Sequence, residues 1–396
     1  MSSGELLRVA GAAEPVPTAP EAAGLLEDDV PDAQLTVASQ WRLMWWRFRK
    51  HKLAIACGIV LALFYIVAIF AEVIAPYDPS ELHGQFKFQQ PNGVTFTDAN
   101  GDFVLWPGVR QLTGHRDPNT LRITYVPDEN TWQPLQLFAH GEPYKLWGII
   151  PGDIHLIGLP GPTQDQALFL LGTDRLGRDL FSRIIYGSRI SLSIGIVGVV
   201  MSFVLGILLG GLSGYYGGWV DLVIQRLIEL IRSMPQVPLF LAFAAAVPAQ
   251  WPVEYTYLAL VVILSFINWT GLARAVRGRF LSLREEDFVL AARLSGASQK
   301  RIMFRHMLPS FTSHIIASLT LAIPNTIIAE TTISFLGLGM REPGISWGLL
   351  LQDAQNLQNM ALYPWLLLPA IPLIVVIVAF NFLGDGLRDA ADPYGR

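Results

Sequence analysis

The sequence predicts an all-α polytopic membrane protein with six transmembrane helices and a small β-rich external insert between the first and second. Three observations carry this. Of 396 residues, 52% are hydrophobic and 15% charged, against about a quarter charged in an ordinary soluble domain, and the mean hydropathy is positive. The apolar residues gather into runs close to the roughly 20 residues that cross a bilayer core as a helix. The one long segment between the first two runs alternates aromatic and polar residues around turn signals instead.

Residues 1–40 are rich in Ala, Pro and Glu without an apolar core, the composition of a disordered tail. They lack the basic start and apolar run of a signal peptide, so the first span is expected to remain as an anchor. Residues 41–75 combine an interfacial segment, "WRLMWWRFRKHK", with the apolar run Leu53–Ala75. Further spans are expected at Ile190–Leu212, Val220–Val247, Tyr257–Ala273, Phe311–Leu336 and Leu362–Leu383, all within a core of residues 188–396. Pro235 and Pro238 should make the Val220–Val247 span irregular.

Lys and Arg in short loops mark the cytoplasmic side. Arg42, Arg47, Arg49, Lys50 and Lys52 precede the first span, and eight cations fall in residues 274–309. The turn near Gln250 has none, and residues 337–363 have only Arg341. Six crossings satisfy all of these with both termini in the cytoplasm. Residues 76–187 are then extracytoplasmic, since long loops translocate largely regardless of charge. Within them, "VTFTDANGDFVLW" sets Asn100-Gly101 between β-prone flanks, a hairpin signal. A β-rich domain is expected over about residues 80–159, capping the spans or meeting a solute or partner.

"EEDFVLAARLSGASQKRIMFRHMLP", Glu285–Pro309, lies between the fourth and fifth spans and is rich in charge and small side chains. Ser282 and Glu285 have capping-box spacing, so a helix should begin near Leu283. Phe288, Ala291, Ala292 and Ser295 recur on one helical face. Gly296 should stop that helix, and a second should run from Ser298 to Met307 and end before Pro309. Two short helices about a glycine joint form a stiff element able to transmit a push. An amphipathic helix resting on headgroups is the alternative.

This stretch resembles the EAA loop of ABC-importer permease subunits: Glu-Ala-Ala, three residues, Gly, nine residues, Ile, one residue, Leu-Pro. Ala291, Ala292, Gly296, Leu308 and Pro309 match in register, while Leu290 replaces the Glu and His306 the Ile. Both departures resemble the oligopeptide/dipeptide branch. "LGTDRLGRDLFSRIIYGSRISL" (171–192), "ETTISFLGLG" (330–339) and "NFLGDGLRDAADP" (381–393) are similar to C-type permeases of that branch, in the same order. The resemblance implies a type I ABC-importer permease fold in a bacterial inner membrane. It implies as partners a homologous second permease, two cytoplasmic ABC ATPase subunits and an extracytoplasmic solute-binding protein. It assigns ATPase coupling to the loop 274–309, through Glu286, Ala291, Ala292, Arg293, Gly296, Ala297, Arg305, Leu308 and Pro309. The implied solutes are di- and oligopeptides, with oligosaccharides, opines or nickel as alternatives.

A phosphate-cradling GxxxxGK[ST] loop does not occur in the sequence. ATP and Mg are therefore expected on the partner ATPases, with no cofactor on this chain and no catalysis by it. HExxH and GxSxG are also missing, and Cys57 is the single cysteine, so neither a metal nor a catalytic site is expected, and no nucleic-acid partner. An ion-coupled secondary transporter, the rival reading, would need intramembrane carboxylates, often in inverted repeats; no such repeat is evident.

Polar residues at membrane depth mark pathways or interhelical contacts. Asp221, Gln225 and Glu229 recur every fourth residue, forming a candidate cytoplasmic-end face against the hairpin or the ATPase, with Arg226 a local partner. Asn268 and Asn325 are candidates for lining a cavity or for interhelical hydrogen bonds. Glu330 is a candidate external gate or a buried local contact. Asp385 and Arg388, with Asp389, suggest a salt-bridge cluster ending the last span.

Overall fold

A computed structural model describes residues 40–391 apart from 100, 117, 119–122 and 161–166. Of the tail expected over residues 1–40, residues 1–39 lie outside the described residues, as do Asn100 and the end of the C-terminal motif, while Gln40 already begins a helix. Helix α1 (Gln40–Phe48) carries Arg42 over the ring of Trp46, 4.9 Å from its centroid.

The bundle consists of α2 (Lys52–Ile69), α3 (Leu180–Tyr216), α4 (Gly218–Ser233), α5 (Gln236–Ala245), α6 (Val253–Leu283), α7 (Asp287–Leu294), α8 (Thr312–Phe335) and α9 (Ala370–Ala391). Among the described residues, five helical stretches are long and apolar enough to cross a membrane, and α4 with α5 makes a sixth, bent by 89°. The bend has a local cause. Met234 precedes Pro235, and the proline ring drives it out of the helical region, to ψ 144°. Pro238 falls in the first turn of α5, where no intrahelical N–H bond is required, and is tolerated.

α3 carries small residues at every fourth position, Gly198, Ser202, Gly206, Gly210 and Gly214, a stripe that lets two backbones approach. A Cβ on Gly210 would lie 2.4 Å from the Ala273 carbonyl oxygen, and one on Gly214 would lie 2.7 Å from that of Arg277. Nearer the other end, Ser265 donates its hydroxyl to the Gly198 carbonyl at 3.0 Å. Contacts climb both helices together, so α3 and α6 run parallel, with the broken span returning between them in sequence. α8 runs the other way: Phe311, just before it, meets Phe280 edge-on, while Gly195 faces Ile327. Gly58 of α2 lies against Leu383, and Gly386 of α9 leaves no room for a side chain beside Ala54. Those contacts make α2 and α9 antiparallel. The start of α2, the end of α9 and the 284–311 segment thus share one end of the bundle.

Two helices outrun their apolar cores. α3 begins ten residues before Ile190 because Asp179 caps it, accepting from the Ser182 N–H at 2.7 Å. At 37 residues it spans about 55 Å, well beyond the ~30 Å hydrocarbon core. α6 continues ten residues past Ala273. Both extensions carry arginines, which hydropathy reads as the end of a span.

The insert lies at the opposite end. β1 (Val94–Thr97), β2 (Phe103–Arg116) and β3 (Ile123–Pro134) form an antiparallel sheet in that order, and β4 (Gln136–Leu146) pairs with β5 (Ile150–Gly158). Thr97 pairs with Phe103 across Gly101, whose φ of +87° supplies the turn. Val109 and Leu112 are buried, and Val109 packs in one cluster with Tyr77, Leu168 and Phe169. Trp147 seats the insert on the bundle: its indole N–H donates to the Ile69 carbonyl at 2.9 Å, and its backbone N–H donates to Glu72. Arg189 of α3 pairs with the same Glu72. The expected cap over the spans is present.

Candidate functional site

The segment between α6 and α8 is a hairpin with a buried root and an exposed tip. α6 runs unbroken through Ser282 to Leu283, so the expected capping box does not form. Phe280, buried against Gly214 and Phe311, carries that helix past the position where its apolar pattern fades. Glu286, in extended conformation, instead starts α7 without a side-chain cap bond. Val289 is fully buried, and Ala292 packs beside it against Phe280, Ile302, Met303 and Met307. Phe288, Leu290, Ala291, Arg293 and Ser295 face outward, and Leu294 is 90% exposed. The buried face is therefore Val289 with Ala292, rather than the small-residue face read from spacing.

Gly296 closes α7 at φ +76°. The Ala297 N–H returns to the Ala292 carbonyl at 3.0 Å, and the Gly296 N–H returns to Arg293 at 3.1 Å. This is a Schellman closure, which requires a left-handed residue. A Cβ on Gly296 would meet nothing within 4 Å, so the demand is conformational and not steric. Ser298 caps the next turn by accepting from the Arg301 N–H. A π turn over Ile302–Met307 and a 3₁₀ turn over Leu308–Phe311 lead directly into α8. Pro309 therefore does not stop the helix; it occupies the start of the 3₁₀ turn, where its missing N–H costs little. Arg305 and Pro309 are exposed, while Ala297, His306 and Leu308 are half-buried.

The helix ends beside the root are joined by polar contacts. Arg277 of α6 pairs with Asp221 of α4, Ser213 of α3 donates to the same carboxylate, and Gln225 donates to Ser213 at 3.2 Å. Glu229 does not join them and pairs outward with Arg226 at 2.7 Å. The expected face of three splits because its first two members bond within the bundle, not to the hairpin. Asp385, Arg388 and Asp389 are exposed and, among the described residues, form no ion pair. The expected cluster is lost because Gly384, Gly386 and Ala390 take the packed side of α9, turning the charges to solvent.

A cavity of about 880 Å³ opens between α3, α4, α5, α6 and α8. Asn268 and Asn325 both line it. Each is also hydrogen-bonded: Gln236 donates to Asn268 at 3.0 Å, Asn268 donates to Thr326 at 3.4 Å, and Asn325 donates to the Leu321 carbonyl. Glu330 is not on the wall. It is fully buried and accepts from the Ser334 hydroxyl at 2.7 Å.

Sequence reasoning overlooked two features. Arg232, one turn before the helix break, lines the cavity. At the insert end, Arg178 bridges Asp174 and Glu342 at 2.7 Å each, with Arg183 at 3.6 Å from both. Arg178 holds the Glu342 carboxyl below its usual range, while burial pushes Asp179 up to about 6. The signal was present in the alternating Asp and Arg of "TDRLGRD", but the Glu342 partner is 164 residues away.

Residues 202–394 match the family model described as binding-protein-dependent transport system inner membrane component, and residues 39–91 match the N-terminal TM domain of oligopeptide transport permease C. The dipeptide transport system permease protein DppC of Lactococcus lactis subsp. cremoris is 31% identical over 88% of this chain and 89% of its own. The oligopeptide transport system permease protein OppC of Haemophilus influenzae is 39% identical over 59% of this chain and 73% of its own. A solved inward-facing conformation of the MetNI methionine ABC transporter aligns with 54% of this chain and 98% of that one, at 16% identity and a TM-score of 0.42. The hairpin, the broken span and the remaining spans all lie within or beside the matched regions, and the chain belongs to the binding-protein-dependent transport system inner membrane component family, the type I permeases of ABC importers.

Proposed function

We propose that this chain is the solute-conducting subunit of an ATP-driven importer of di- and oligopeptides, receiving its stroke through the hairpin 285–309. The observation that carries this is α7, whose Val289 is fully buried in the bundle while Leu294 stands 90% exposed at the tip. An apolar side chain so placed, flanked by exposed Leu290 and Arg293, suits a groove on a separate protein. The tip is rooted in the packing of Val289, Ile302 and Met307, so a displacement there passes to α6 and α8. Converting a two-state bundle from 1:99 to 99:1 takes about 5.5 kcal/mol, which a loose loop would dissipate.

In this reading two cytoplasmic ATPases hold ATP and Mg, and this chain binds neither and catalyses nothing. A second permease completes the conduit, and a solute-binding protein delivers to the insert end. The cations before α2 and in 274–309 favour both termini and the hairpin on the cytoplasmic side. Peptides are favoured over sugars, opines or nickel because the relatives are named as dipeptide and oligopeptide permeases.

Leu294→Asp tests the reading, since it burdens no packed residue. Purified complexes should lose the ATPase subunits, and peptide uptake should fall at least about tenfold while membrane insertion is unchanged. Retained ATPases with normal uptake would sink it.

A further inference from the structure

Arg232 occupies the last turn of α4, two residues before the Met234–Pro235 break. Among the described residues lining the cavity it alone is charged. It lies alongside mid-α6: a Cβ on Gly271 would have the Arg232 Nη1 at 3.9 Å. Four other arginines of the bundle have carboxylates: Arg183 has Asp174, Arg189 has Glu72, Arg226 has Glu229 and Arg277 has Asp221, whereas Arg274, Arg279 and Arg388, without an ion pair among the described residues, do not line the cavity. Among the described residues Arg232 has no ion pair, and no acidic side chain lines the cavity.

Arg232 is exposed, and its neighbour Gly271 lies two residues before the end of the apolar run of α6, so the charge stands toward the hairpin end of the cavity, where it can meet a solute. Its position in the last turn of α4 contributes some stabilisation through the helix dipole, but that role needs no cavity and no planar fork. A guanidinium presents two parallel N–H donors matched to a carboxylate. The surroundings have the same preference. α5 starts at the break without a side-chain cap, and its first residues, Gln236 and Val237, line the cavity, so uncapped backbone N–H groups open there beside the Asn268 and Asn325 amides. Half-helix starts at a broken span favour anionic groups of a solute.

We propose that Arg232 receives the carboxylate of the solute in transit, for a peptide its C-terminus, with the start of α5 contributing to the same anion site. This rests on the reading of the chain as a peptide permease. The cavity provides no acid for the peptide's ammonium, so the other end of the solute is held elsewhere or remains hydrated.

The test uses the whole importer in proteoliposomes, with trialanine and trialanine amide as probes, each compared with wild type on the same probe. Binding of both probes to the complex without its binding protein is measured alongside. Arg232→Gln should weaken trialanine uptake and binding by about tenfold or more, leave the amide unchanged, and leave subunit assembly intact. Arg232→Lys should retain part of the preference. Equal loss on both probes, or loss of the second permease from the complex, would assign the guanidinium to the fold or to a subunit contact and overturn the proposal. Unchanged trialanine binding would overturn it too. If the wild type neither binds nor carries trialanine, the peptide reading fails, which is a separate outcome.

Discussion

Arg277 grips Asp221 with both arms of its guanidinium, Nε to Oδ1 at 2.6 Å and Nη2 to Oδ2 at 2.5 Å. The pair ties α6 to α4 where the hairpin leaves the bundle, and Ser213 draws α3 into the same knot. Asp221→Ala or Arg277→Ala should cost about 1–3 kcal/mol. The double variant should cost clearly less than the two single losses together, because each single change strands the other charge. Thermal unfolding in detergent measures all three, and strictly additive losses would refute the coupling.

Gly210 has no room for a side chain beside the Ala273 carbonyl. Gly210→Ala should therefore destabilise by about 1–3 kcal/mol through overpacking. Gly278→Ala in α6, where nothing lies within 4 Å, should be neutral or gain up to about 1 kcal/mol of helix propensity. Melting temperatures and folded yield of the two variants decide it; equal behaviour would show that the α3–α6 contact is looser than described.

At Gly296 the constraint is backbone conformation. Gly296→Val should cost about 1–2 kcal/mol and Gly296→Asn less, since Asn tolerates the left-handed region better. Amide exchange over residues 287–297 should accelerate in that order, and peptide uptake should decline in parallel. A Val variant as protected as the wild type would contradict the closure.

Trp147 joins β4 and β5 to the end of α2 through Ile69 and Glu72. Trp147→Ala should make the insert more susceptible to limited proteolysis between residues 136 and 158. Cleavage within α3 or α8 should stay unchanged. Resistance equal to that of the wild type would mean the insert is held elsewhere.

Burial, together with neighbouring Glu142 and Asp78, pushes Glu81 up to about 7 from an ordinary value of 4.5. The fold thus favours the protonated form. This contribution is fully present below the ordinary value and is lost as pH rises through about 7. Glu81→Gln, neutral at every pH, should melt increasingly above the wild type between pH 5 and pH 8. A constant gap across that range would count against the shift.

Much of the hairpin was legible in the sequence because its key positions obey local rules. Gly296 is required by a turn closure within six residues, and Pro235 breaks its span through the residue beside it. The ends of α3 and α6 were misjudged because hydropathy stops at Arg183, Arg189, Arg274 and Arg277, whereas the helices continue. Three of those arginines find carboxylates on other elements: Arg183 on Asp174 and Glu342, Arg189 on Glu72 and Arg277 on Asp221. The small-residue face of α7 was misread for a related reason: Val289 is buried by Ile302, Met303 and Met307 from the following segment, which spacing within α7 cannot reveal.

By itself the sequence determined the apolar runs, their count, the break at Pro235, the β-rich insert and the hairpin, since each follows from composition or from backbone constraints on neighbouring residues. Only the tertiary structure decided that α3 and α6 lie parallel along a glycine stripe, that Glu330 is buried against Ser334 off the cavity wall, and that Arg232 and Asn268 share one cavity. Which side of a helix meets its neighbour is fixed by close packing between segments far apart in the chain, and no local pattern carries that choice.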